Sequence, residues 1–433
     1  MRNAITVLLG VTALGWVVAA GVAVSANGNG SDIVRQWIVC QYLKSGSNPY
    51  ELSKDILLAK YEAGNPGRVK VYAIPKEIPA LRVNGLSPEL GPPEATYPPP
   101  AVGLLACTIG HLTDPRTVLW IWFAINLAAV SGVVIGLTRL CPVPPGDGTV
   151  ADNTRLVLAA LLLFPATYST LMSGQFSLLV LGLVLAATDP SLPWLPRGMV
   201  LGLALVKPSV ALPFFLLSLV RREWCVMAAA AAVQAAAGAY VAGQTGATFS
   251  LFKDWLTISG FFLQGMYTFQ DWLNVAGPRI PWLVPAASLG ILILCGVTLT
   301  AARRLPRARQ LSIAAVTSVF WTYHGSYDFV VLLPALLPLA GWSDQPQGRR
   351  WSPIGIAVFA ILAFGLSPMV YGGTDLATRI IRWSTRLVVI GLFLREYLLA
   401  WTSVFRLDCT EHQAAEGDSA AVNVLRDSAP ALG

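Results

Sequence analysis

Apolar runs close to the roughly 20 residues needed to cross a bilayer recur along nearly the whole of this sequence. In lipid every backbone polar group must find an internal partner, so runs of this kind fold as helices. Hydrophobic residues make up 55% of the 433 positions and charged ones only 12%, which excludes an ordinary soluble domain. The expected fold is therefore an all-α polytopic membrane protein. Its candidate spans are 4–24, 98–112, 117–138, 154–170, 174–188, 198–220, 224–243, 282–301, 311–323, 327–341, 352–368 and 384–402, a bundle of about twelve transmembrane helices. The first, Ala4 to Val24, is expected to stay as an anchor, although Ala23 to Ala26 offers small residues to a signal peptidase.

The net charge of +7 does not indicate nucleic acid, because the basic residues gather at helix ends instead of forming a stripe. Arg221 and Arg222, then Arg303, Arg304, Arg307 and Arg309, then Arg349 and Arg350 fall on one side if the count of twelve holds. The positive-inside bias makes that side the cytoplasm, with both termini there too. A pair of re-entrant half-helices would satisfy the same parity. Two large loops then face outward, residues 25–97 and 244–281, and the site of action is expected outside, on a multi-pass protein of the plasma membrane. The first loop opens with an amphipathic helical pattern from Asp32 to Leu43, and the second contains LFKDWLTISGFFLQGMYTFQDWL, suited to the membrane surface. Residues 1–402 form one transmembrane domain, and the acidic, Ala- and Ser-rich tail 403–433 is expected to be disordered and cytoplasmic. The run Ala228 to Ala239 reads as a close-packing helix face. Six cysteines without metal-ligand spacing and three histidines indicate neither a disulfide framework nor a zinc site.

A few polar residues stand out against this background. Asp32 lies just beyond the first span, where it can cap the following helix or act as a base at a water-filled mouth. Lys207 sits inside GMVLGLALVKPSVALPFFLLSLVRR, and an ammonium there needs an anion or water. Pro208 beside it breaks the helix and frees carbonyls. A lysine at such a break suits a phosphate, or else a structural carboxylate. His324, in WTYHGSYDF with Tyr323, Tyr327 and Asp328, marks a polar turn between short apolar helices, able to donate to a phosphate oxygen or to assist a proton transfer. Asp328 can fix its tautomer or cap the next helix. Tyr97 and the three prolines after it make a stiff entry into the second span. Ser173, Gly174 and Gln175 form a polar break that parity assigns to the cytoplasmic side, away from the outer site, as a structural turn.

Taken in order, these pieces resemble glycosyltransferase family 87, within the GT-C superfamily of polytopic enzymes that use polyprenyl-phosphate sugars. The resemblance rests on Asp32, on Asn48, Pro49 and Tyr50, on Tyr97 to Pro99, on Gly174 and Gln175, on Lys207 and Pro208, and on Trp321 to His324. It implies a GT-C-like bundle with a large first outer loop and a catalytic aspartate at Asp32. It also implies a pocket for the lipid phosphate at Lys207 and His324, with Arg35 as a helper and Tyr97, Tyr323, Tyr327 and Asp328 as lining. The expected reaction is inverting transfer of a hexose, mannose favoured, from a polyprenyl-phosphate sugar donor to a glycolipid or glycan acceptor at the outer face. The enzyme is expected to act as a monomer with no cofactor. A divalent metal is not expected either, since no second carboxylate makes a DxD pair near Asp32. Two departures, the long stretch between Tyr50 and Tyr97 and the aliphatic Ile33 and Val34 after the aspartate, bear on the acceptor more than on the reaction class.

The residues alone leave other readings open. An intramembrane lysine and histidine also suit a transporter or flippase for an anionic lipid, although no repeated halves are visible and the polar residues lie toward one face. A non-catalytic scaffold is a third reading.

Overall fold

The computed structural model describes residues 32–62, 95–140, 150–247, 249–262, 283–322, 326–339 and 357–362, with parts of 11–22 and 377–403. The chain is all helical over these residues, and no strand occurs among them. Residues 63–94, 263–282 and the tail after 403 lie outside the described residues, as do Tyr323 and His324.

Proline places many of the helix starts. α1 (Asp32–Lys44) is followed by α2 (Pro49–Glu62), α3 (Pro99–Thr108) and α4 (Pro115–Leu140). Then come α5 (Val150–Leu163), α6 (Pro165–Ser173), α7 (Ser177–Thr188), α8 (Trp194–Ala204) and α9 (Pro208–Val220). Helices α2, α3, α4, α6 and α9 each begin on a proline, whose fixed φ suits a first turn that has no backbone acceptor for an N–H. α10 (Trp224–Thr245), α11 (Phe249–Phe262), α12 (Leu283–Ala301), α13 (Arg307–Phe320) and α14 (Leu333–Leu339) complete the labelled series, with a helical stretch at 383–403 beyond it.

Of the expected twelve spans, 117–138, 224–243 and 282–301 are single long helices, several others resolve differently, and 4–24 and 352–368 lie largely outside the described residues. Among the described residues, three helices are long and apolar enough to cross a membrane: Pro115–Arg139, Trp224–Thr245 and Pro285–Arg304. The expected span 198–220 is two helices, α8 and α9, parted at Lys207, whose backbone is non-helical. The expected spans 154–170 and 174–188 become α5, α6 and α7. Helices α6 and α7 bend by 113° at a short break, the geometry of a broken span or a re-entrant loop. Between α13 and α14 the chain forms a 3-10 turn, Ser326–Leu332.

The largest change concerns α1. Amphipathic spacing suggested a helix lying in an outer loop, yet nine of its thirteen residues are buried, including Ile33, Trp37 and Leu43. It is packed among α3, α4 and the turn Ile109–His111. Its polar groups are satisfied there: Trp37 Nε1 donates to the Leu112 carbonyl at 2.8 Å, and Gln41 and Lys44 both donate to the Gly110 carbonyl. The second outer segment keeps its amphipathic character, since α11 exposes Phe249, Phe252 and Leu256 and buries Leu251 and Ile258.

Small residues let the other helices approach. A Cβ on Gly198 would lie 2.4 Å from Ala229 Cβ, and one on Gly103 would lie 2.3 Å from the Ala237 carbonyl oxygen, so α10 is clasped by α8 and α3. The alanine-rich run is the close-packing face its composition suggested. At the far end of the chain, Phe393 stacks on Phe320 at 4.5 Å, and the Tyr397 hydroxyl meets Thr317 Oγ1 at 2.7 Å, which ties 383–403 to α13.

Candidate active site

The site is built around the bend between α6 and α7. Gly174 closes α6 in the left-handed region at φ 62°, and a Cβ there would stand 2.8 Å from Ile33 Cγ2. Glycine thus meets two demands at once, the turn and the seat of the bend on the first turn of α1. The next residue, Gln175, is 3% exposed and points its carboxamide between α1 and the start of α9.

Its Nε2 donates to Asp32 Oδ2. Its Oε1 accepts from Lys207 Nζ at 3.1 Å and from the Tyr97 hydroxyl at 3.2 Å. The amide orientation follows from chemistry, since an ionised carboxylate only accepts and an ammonium only donates. Lys207, 8% exposed, also donates to Asp328 Oδ1 at 2.5 Å and Ser177 Oγ at 3.2 Å, and its ammonium lies 4.7 Å from the centre of the Tyr327 ring. Asp328 also accepts from Ser177 Oγ.

Aromatic packing and backbone bonds hold this chain of contacts. Phe176 packs on Tyr97 at 4.9 Å and on Trp122 at 4.5 Å, while Trp122 Nε1 donates to the Gln175 carbonyl. Tyr50 donates its hydroxyl to the Tyr97 carbonyl at 2.8 Å, so the two short motifs read from sequence meet in space. Thr170 on α6 donates to the Tyr327 carbonyl at 3.2 Å, which fixes the 3-10 turn beside the bend.

Of the residues expected in the site, the structure brings together Asp32, Lys207, Tyr97, Tyr327 and Asp328. Arg35 stands 3.7 Å from Asp32 Oδ1 with its side chain 45% exposed, beside an aspartate side chain that is 27% exposed. Asp328 is the ion-pair partner of Lys207, a closer role than lining. Any contact between Asp328 and His324 falls outside the described residues. The expectation for Gly174 and Gln175 is overturned, because the turn assigned by parity to the opposite side is the centre of the cluster. Parity assumed that 154–170 and 174–188 cross the membrane separately; the sharp α6–α7 bend removes that basis. Ser177 was also missed. A polar Gly-Gln pair between two apolar runs too short to span was the available signal.

Chemically, the arrangement pairs a partly accessible carboxylate with a buried ammonium through one amide. The Lys207–Asp328 pair is charge-balanced in a place where an isolated ammonium would be costly. The aspartate at the rim has a second oxygen facing Arg35. Among the described residues no three His, Cys, Asp or Glu side chains are grouped to hold a metal.

A helical membrane protein that gathers a carboxylate, an amide and an ammonium at a sharp bend between two short helices holds a polar site within an apolar bundle. Residues 95–324, just over half of the sequence, match glycosyltransferase family 87, and the chain belongs to that family. It is a glycosyltransferase of GT-C type. The matched region contains Tyr97, Gln175 and Lys207 and begins after Asp32. The chain is also similar to a polyprenol-phosphate-mannose-dependent alpha-(1-2)-phosphatidylinositol mannoside mannosyltransferase of Mycobacterium tuberculosis, with 28% identity over 305 residues, 60% of this chain and 68% of the relative. No solved structure matches the chain.

Proposed function

We propose that this glycosyltransferase moves a hexose, mannose favoured, from a polyprenyl-phosphate sugar to a glycolipid or glycan acceptor at the outer face of the plasma membrane. The observation that carries the reading is the single amide of Gln175 bonded to both Asp32 and Lys207, because it sets a rim carboxylate at a defined place beside a buried cation. The mycobacterial relative supports the donor class by its polyprenol-phosphate-mannose dependence and the acceptor class by its phosphatidylinositol mannoside.

In the proposed reaction Asp32 takes the proton of the acceptor hydroxyl. The oxygen so freed bonds to the anomeric carbon from the face opposite the phosphate. The bond from that carbon to the phosphate oxygen breaks, and the polyprenyl phosphate departs with the electron pair. The anomeric centre inverts. Lys207 answers the charge that grows on the leaving phosphate by exchanging part of its hold on Gln175, Ser177 and Asp328 for phosphate oxygens. His324 is proposed as a second phosphate donor, and Arg35, exposed beside Asp32, as a third. Tyr97, Tyr327 and Asp328 are proposed to line the site, and so is Tyr323, which lies outside the described residues. Lipid-anchored substrates held at one surface supply further rate through positioning. The proposed enzyme works as a monomer, without a cofactor or divalent metal.

The test uses membranes containing the protein, radiolabelled polyprenyl-phosphate mannose, and wild type beside Asp32→Asn. Loss of transfer by about 10²–10⁴-fold is expected for removal of a general base. Undiminished transfer in the variant would remove Asp32 from the chemistry. Labelled lipid that crosses the bilayer without any sugar transfer would instead establish a flippase.

A further inference from the structure

The end of α9 remote from Lys207 carries a second polar construction that plays no part in the proposed reaction. The thirteen residues of α9 put it about 20 Å from the Lys207 backbone along the helix axis. A cavity of about 930 Å³ opens there, with Leu216 and Leu219 on one wall and Ile293 and Val297 on the other. Its polar rim is formed by Arg222, Arg303 and Arg304, with Trp224 and Trp401 beside them. Three more arginines adjoin it. Arg197 binds Glu223 at 2.5 Å, Arg307 lies 3.8 Å from the same carboxylate, and Arg221 grips Gln310 Oε1 through Nε and Nη2 at 2.9 and 2.7 Å.

This assembly is built rather than incidental. Gln310 is 1% exposed, and its Nε2 donates to the carbonyls of Ala302, Arg303 and Leu305. One buried side chain therefore clamps the arginine turn after α12 onto the arginine turn after α9. The α9 turn is a Schellman motif, with the Glu223 N–H on the Ser218 carbonyl and the Arg222 N–H on the Leu219 carbonyl. Glycine is the usual occupant of its left-handed position. Here Arg222 holds it at φ 58°, the only non-glycine residue with positive φ among the described residues. A side chain kept where the backbone disfavours it points to a use for that side chain. Charge is in excess as well: Arg307 Nη1 is buried with no hydrogen-bond partner among the described residues, and burial together with the Arg307 charge brings Arg221 down to about 10.

We infer that this groove binds an anionic phospholipid, its phosphate on Arg222, Arg303 and Arg304 and its acyl chains against Leu216, Leu219, Ile293 and Val297. Apolar walls beneath an arginine rim match an amphiphile whose head is negative and whose tails lie along the bundle. Two tryptophans at the boundary suit the level of the headgroups. By the positive-inside bias the lipid comes from the leaflet opposite the proposed transfer site.

The test is native mass spectrometry of the delipidated full-length protein, titrated with dioleoyl phosphatidylglycerol or dioleoyl phosphatidylcholine. Wild type is expected to hold phosphatidylglycerol at least tenfold more tightly. Arg222→Gly removes the side chain but suits the backbone, so its melting temperature should hold or rise while phosphatidylglycerol affinity falls at least fivefold. Arg303→Gln with Arg304→Gln should lose as much, with phosphatidylcholine binding unchanged in every variant. Equal affinity for the two lipids, or equal phosphatidylglycerol affinity in wild type and variants, would overturn the assignment. None of these readouts depends on sugar transfer.

Discussion

Lys207 and Asp328, 121 positions apart in sequence, form an ion pair at 2.5 Å that is almost wholly buried. Asp32 and Gln175, 143 positions apart, meet beside it. With Tyr97, which donates to Gln175, the cluster rests on contacts between five separate segments, and its contacts can be tested singly.

Removing one member of the buried pair strands the other. Lys207→Met is expected to destabilise the protein by about 3–5 kcal/mol, whereas Lys207→Met combined with Asp328→Leu should recover most of that loss. Thermal unfolding in detergent measures both. A single variant as stable as wild type would mean that the pair is not structurally important, and a double variant with restored transfer would exclude Lys207 from the proposed phosphate site.

Gln175→Leu keeps roughly the volume of the side chain but severs the bridge from Asp32 to Lys207 and Tyr97. The expected result is a fall in kcat of about 10–100-fold, because displacement of a catalytic group by around 1 Å has effects of that order. Gln175→Glu should fall further, since it puts a second carboxylate against Asp32. Transfer rates at saturating donor would decide this, and an unchanged kcat in Gln175→Leu would show the bridge to be dispensable.

Gly174→Ala combines a disfavoured backbone at φ 62° with a methyl group 2.8 Å from Ile33 Cγ2. About 1–3 kcal/mol of stability should be lost. The same cost should persist in an Ile33→Ala background, which lacks Cγ2, because the backbone strain remains. A cost that vanishes in that background would mean that contact, not φ, set the requirement for glycine.

Tyr50→Phe deletes the hydroxyl that donates to the Tyr97 carbonyl from a fully buried ring. A loss of about 1–2 kcal/mol is expected. Transfer should drop as well, since Tyr97 positions Gln175 from its other end. Stability lowered with transfer per folded molecule unchanged would confine Tyr50 to a structural part.

How much of this was legible along the chain varied with the range of the interaction. The helical class followed from apolar run length, and the helix starts at Pro49, Pro99, Pro115, Pro165 and Pro208 follow from the local geometry of proline. The common end for Arg221, Arg222, Arg303, Arg304 and Arg307 was also readable from charge placement, and Gln310 and Glu223 hold these turns together. Lys207 stood out because an ammonium in an apolar run demands a partner. Its partner did not, because Asp328 lies beyond five further labelled helices, α9 to α13, and looked equally suited to capping.

The sequence by itself determined that the chain is a helical membrane protein, and short motifs named the aspartate, lysine and tyrosines of the site. Only the tertiary structure decided that Gln175 joins them. Hydropathy measures whether a segment is apolar but not whether it crosses the membrane or turns back, and the 113° bend between α6 and α7 removes the basis on which counting assigned the Gly174–Gln175 turn to the opposite side. Burial of α1 was likewise beyond the sequence. An amphipathic pattern records one apolar face, and whether the other faces meet water or neighbouring helices depends on how the remaining chain closes around them.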